Sequence, residues 1–132
     1  MNQYADRRAN AVAIVSPDPL LAALIGAAVE LVGFRAAFPR PDESPLDALI
    51  RLRAAYVLID CEDPSASDEA LLGRGLMRGA RLFLFGSADQ LAPLRTRAAR
   101  FNAELIELPR DIALLHDILS RRPQSDREPQ PG

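Results

Sequence analysis

Lysine is absent from the chain: all sixteen basic residues are arginine, set against eighteen acidic residues for a net charge of −2. That balance offers no basic stripe to neutralise phosphates, so nucleic acid is not an expected partner. Tryptophan is absent too, and aromatics make up 5% of a chain that is 48% hydrophobic, which predicts an aliphatic core. The single cysteine, Cys61, has no partner for an intramolecular disulfide. With one histidine, His116, beside it, no nucleophile, base and orienting group can be assembled, and an enzyme is not expected. The longest apolar run, 20–29, is far short of the roughly 20 residues of a membrane span, and no apolar signal core follows the first charges. The expectation is a cytoplasmic domain with no membrane partner.

What is present is a rhythm. At 132 residues the chain suits one domain, and from residue 10 to 122 apolar runs alternate with breakers. Residues 11–15 (AVAIV) read as a buried strand ended by Ser16-Pro17. Helix 19–32 follows, with Asp18 placed to cap its free N–H groups and Pro19 at the first helical position, where a missing donor does no harm. Strand 34–38 is bounded by Pro39 and Pro41, which suits a sheet edge. Then come helix 45–53, strand 55–59, an acidic loop 60–64, helix 67–78, strand 81–85, helix 90–101, strand 103–107 and an amphipathic helix 110–122. Gly73 and Gly75 should weaken the helix that contains them by about 1 kcal/mol each relative to alanine. Residues 1–9 form an N-terminal extension, and the proline-rich tail 123–132 is expected to be disordered.

Five strands each followed by a helix predict an α/β fold, a flavodoxin-like (βα)5 three-layer sandwich. Its parallel five-stranded sheet is expected in the order 2-1-3-4-5, with the proline-bounded second strand on one edge. Ligands of such sheets sit beyond the carboxyl ends of the strands, at the switch point between strands one and three. Those ends carry Ser16, Pro17 and Asp18, then Asp60, Glu62 and Asp63, then Ser87, and finally Leu108.

On these residues the chain resembles the receiver domain of two-component response regulators. Receivers place a phosphate-accepting aspartate at the end of the third strand with a proline four residues on, as Asp60 and Pro64 stand here. They place Ser or Thr followed by Ala after the fourth strand, as Ser87-Ala88 stand, and Lys-Pro after the fifth, where this chain has Leu108-Pro109. The resemblance covers residues 10–122 and implies a signalling module in a phosphorelay, with a sensor histidine kinase or another signalling protein as partner.

The departures point to impaired or absent phosphorylation. Ser16-Pro17 stand where receivers carry two acidic residues that hold Mg²⁺, Leu108 replaces the lysine that pairs with the phosphoryl group, and Leu105 replaces the usual aromatic switch residue. No cofactor is expected; Mg²⁺ would have to rest on Asp18, Asp60 and Glu62, although it favours carboxylate anchors in octahedral array. Arg110, with Ser87, is left as the residue able to meet a phosphoryl group. A flavodoxin-like small-ligand or flavin-binding domain is the alternative reading, using the same crevice. The first helix is also expected to pair with a second copy, as a homodimer, or with a partner's helix, through a small-residue face comprising Ala22, Ala23, Gly26, Ala27 and Glu30, with the leucines turned to the core.

Overall fold

The computed structural model describes residues 10–108. The expected N-terminal extension, the helix expected over 110–122 with Arg110, and the tail lie outside the described residues.

Five parallel strands form one sheet in the order β2-β1-β3-β4-β5: β1 Ala11–Val15, β2 Arg35–Ala37, β3 Tyr56–Asp60, β4 Arg81–Gly86 and β5 Glu104–Glu107. The expected fold class and strand order are those observed. β1 and β3 are buried along their whole length, as a parallel strand covered on both faces must be, and β2 is the short edge strand. Helix α1 (Pro19–Leu31) returns the chain from β1 to the edge. Every later crossover runs the other way, so right-handed connections place those helices on the opposite face. They are α2 (Pro45–Leu52), α3 (Glu69–Met77), α4 (Ala88–Leu91) and α5 (Arg95–Arg100).

Two apolar layers result. Ile25 and Val29 of α1 pack on Val12, Ile14, Tyr56, Leu58, Phe83, Phe85 and Ile106. On the other face Leu49, Leu71, Leu72, Leu91 and Ala98 cover Ala13, Val15, Val57, Ile59, Leu82 and Leu84.

Local chemistry fixes the element ends. Asp18 caps α1 by accepting from Leu20 N at 3.0 Å and Leu21 N at 3.3 Å, with Pro19 as the first helical residue. The helix expected over 67–78 is α3, started at Glu69 by Asp68, which caps Ala70 N and Leu71 N; a 3₁₀ turn, Pro64–Ser67, precedes it in the acidic loop. Gly75 has a packing reason: a Cβ there would stand 2.8 Å from Leu82 Cδ2, so any larger residue would make the Leu82 side chain shift. The helix expected over 90–101 begins earlier, at Ala88, and is broken by a 3₁₀ turn at Ala92–Leu94. Pro93 has no N–H with which to continue the ladder.

The face assigned to α1 is corrected. Gly26 is buried rather than outward, its Cα so close to β2 that a Cβ would meet Phe38 Cζ at 2.9 Å and Ala36 Cβ at 3.4 Å, and Ala22 is half-buried. Leu20, Leu24 and Leu31, expected in the core, are exposed by 79%, 62% and 84%. The helix is rotated about its axis relative to the expectation. Its apolar residues spread round more than half the circumference, so their pattern defines no single inward direction.

Candidate functional site at the carboxyl ends of the strands

The register of β1 against β3 pairs Val15 with Ile59, so the next residues, Ser16 and Asp60, leave the sheet side by side. Asp60 is the last residue of β3 rather than the first of a solvated loop, and it is 5% exposed. Both carboxylate oxygens accept a hydrogen bond. Ser16 Oγ donates to Oδ2 at 2.7 Å, and the backbone N–H of Glu62 donates to Oδ1 at 2.9 Å. A short O–H···O contact to a carboxylate belongs to the strong class of hydrogen bonds. Ser16 Oγ also accepts from Asp18 N at 3.1 Å, which ties the β1–α1 turn to the same point.

Asp18, Asp60, Glu62, Ser87 and Leu108 do line one crevice, of about 350 Å³, as the strand order requires. No arginine is among its lining residues, so within the described residues the crevice is acidic and uncompensated by a cation. Ser87 is turned to another task. It is the N-cap of α4, its Oγ accepting from Gln90 N at 3.2 Å while Gln90 Oε1 accepts from Ser87 N at 2.9 Å, a reciprocal capping box.

Gln90 is the site residue that the sequence reading missed. Its Nε2 donates to Glu62 Oε2, and its Oε1 also meets the Cys61 thiol at 3.6 Å, so one side chain links the β3 loop to the β4 loop. The signal was present, since Ser87 with glutamine three residues on is the spacing of a capping box. Cys61 lies against Gly86, where any Cβ would overlap its Sγ. Burial pushes the Cys61 thiol up, and the neighbouring Asp60 and Glu62 charges push it further, so the thiol is not an activated nucleophile.

The donor set does not fit the Mg²⁺ that the fold implies. Asp18 is committed to the α1 cap, Asp60 to Ser16 and Glu62 N, and Glu62 to Gln90. Among the described residues no group of three or more His, Cys, Asp or Glu side chains converges to hold a metal ion. Pro17 is exposed, Leu105 is half-buried against the helix-rich face, and Leu108 packs on the α1 side, so none of these positions restores a charge. Beside the crevice, a cleft of about 700 Å³ opens between α1 and the β2–α2 loop, walled by Pro19, Ala22, Phe38, Pro41 and Pro45. Arg51 holds its rim through two 2.7 Å contacts to Glu43. Those contacts, with the N–H of Arg40, hold the Glu43 carboxyl down at about 2.

No protein-family model matches the chain, and no curated protein matches it in sequence. Among solved structures it is similar to a response regulator receiver protein from Burkholderia phymatum, with a TM-score of 0.62 and 18% identity over 80% of this chain and 87% of that one. The likeness establishes the fold: the chain has the flavodoxin-like architecture of a receiver domain. No helix among the described residues is long and apolar enough to cross a membrane.

Proposed function

We propose that the chain is a receiver-like signalling domain that acts by binding a protein partner, a sensor kinase or another signalling protein, and that Asp60 serves as a structural anchor rather than a phosphate acceptor. The observations that carry this reading are that Asp60 is held at both oxygens by neutral donors, Ser16 Oγ and Glu62 N, and that no cationic side chain lines its crevice among the described residues. A carboxylate attacking a phosphoryl group meets like charge, and that repulsion must be offset by cations placed in advance. The crevice supplies carboxylates instead. Ser87 Oγ, the other expected phosphoryl contact, is held by the α4 cap.

A flavin or other phosphate-bearing ligand, bound as in flavodoxins, has less support. Pro17 and Pro19 have no N–H, and those of Asp18, Leu20 and Leu21 are already donated to Ser16 Oγ and Asp18 Oδ1. The test is incubation with acetyl phosphate and Mg²⁺ followed by intact-mass measurement. The expected result is an unmodified chain; stoichiometric, hydroxylamine-labile addition of one phosphoryl group, abolished by Asp60→Asn, overturns the reading.

A further inference from the structure

The exposed side of α1 is a stripe of unusual chemistry for a surface helix. At about 100° per residue, Leu20, Leu24, Ala27 and Leu31 fall within an arc of about 60°, diametrically opposite the buried Val29. Their spacing of four, three and four residues is that of a helix-packing seam. No basic residue occurs in the helix, and its one acid, Glu30, is drawn aside to accept from Ala36 N at 3.3 Å. Phe38, 42% exposed, continues the apolar surface toward the adjoining cleft, which Ala23 also lines.

We propose that this stripe is a homodimer interface in which two copies of α1 pack antiparallel about a twofold axis midway between residues 25 and 26. The occupant is a second copy because the stripe is complementary to itself under that operation. Leu20 meets the partner's Leu31, Leu24 meets the partner's Ala27, and Leu31 meets the partner's Leu20, so a large side chain faces a small one on each side of the axis. An isologous contact of this kind closes as a dimer and leaves no free patch for further growth. Glu30 lies about 90° round the helix from the centre of the stripe and accepts from Ala36 N, so its charge stands to the side of the contact. The helix is only about 20 Å long, so the buried area falls at the low end for specific interfaces and the dimer is a weak one. This inference is independent of the state of Asp60.

The experiment is sedimentation equilibrium of the full chain from about 1 to about 500 µM, with Leu24→Glu, Ala27→Arg and an equimolar mixture of the two variants. The wild type should dimerise with concentration, and each variant should raise the dissociation constant at least about tenfold with an unchanged urea midpoint. The mixture should recover a heterodimer, because the introduced carboxylate of one chain faces the introduced guanidinium of the other. A wild type that is monomeric throughout, a Leu24→Glu dimer of unaltered strength, or a mixture that stays monomeric overturns the proposal. So does a Leu24→Glu monomer of lowered stability, which would mean that the face is covered from within the same chain, segment 110–122 being the rival occupant.

Discussion

Removing the Ser16 hydroxyl is the perturbation that most directly probes the site. Asp60 is 5% exposed, and Ser16 Oγ at 2.7 Å is the donor to its Oδ2. A hydrogen bond to a charged group contributes about 1.5 to 3 kcal/mol, and a buried acceptor left without its donor costs about the same. Ser16 is only half-buried, so water can partly replace the hydroxyl. Against that, Ser16→Ala also strips the acceptor from Asp18 N at 3.1 Å. Ser16→Ala should therefore destabilise the fold by about 2 kcal/mol. In an Asp60→Asn background, where the bond is between neutral groups, the same change should cost only about 1 kcal/mol. Urea denaturation of the four proteins, with m-values shown to be equal, measures the coupling. The reasoning fails if Ser16→Ala costs less than about 0.5 kcal/mol, or if its cost is identical in both backgrounds, since distant and independent changes add within that margin.

Two further outcomes follow from neighbouring contacts. Glu43, held by Arg51 at about 2 against an ordinary 4.5, has a depressed folded-state value. Its contribution is complete above pH 4.5 and lost as pH falls toward 2, so the urea midpoint of Glu43→Gln should fall less across that window than that of the wild type; equal slopes would contradict the assignment. Gly86→Ala must displace the Cys61 thiol and crowd Gln90 Oε1 at 2.9 Å, a cost of about 1 to 3 kcal/mol, and adding Cys61→Ala should recover most of it in thermal unfolding. A double variant no more stable than Gly86→Ala would place the strain elsewhere.

The sheet was legible because its information is one-dimensional. The continuous apolar runs of β1 and β3 and the prolines after β2 each speak about a single strand, and the handedness of crossovers turns that list into the order 2-1-3-4-5. The rotation of α1 was not legible, because leucine and alanine occupy nearly every position and the deciding contact, Phe38 against Gly26, comes from another element. The same limit hid the role of Ser16. Read along the chain it is a metal ligand lost; read across the register of Val15 with Ile59 it is the hydrogen-bond donor to Asp60. Ser87 and Gln90 were within reach of sequence reasoning, since a capping box is a local motif, but starting the helix at 90 rather than 88 concealed it.

The acidic loops share one solution to their charge. Asp18 accepts from two helix N–H groups, Asp60 from a hydroxyl and an N–H, Glu62 from an amide, and Asp63 from both N and Oγ of Ser65 at 2.9 and 2.7 Å. Every donor is neutral, and most lie within three residues of the acceptor or on the adjoining strand end. Such short-range donors hold each carboxylate in its own direction, so no pair of them is left pointing at a common cation. A metal entering the crevice would compete with these contacts for the direction of each carboxylate, and re-aiming a cap or turn residue costs about 1 kcal/mol. Leucine at 108 brings no charge to the crevice and packs on the α1 layer. The acidic end of this sheet is thereby held in place by its own short-range hydrogen bonds, with no cation among the lining residues of the crevice.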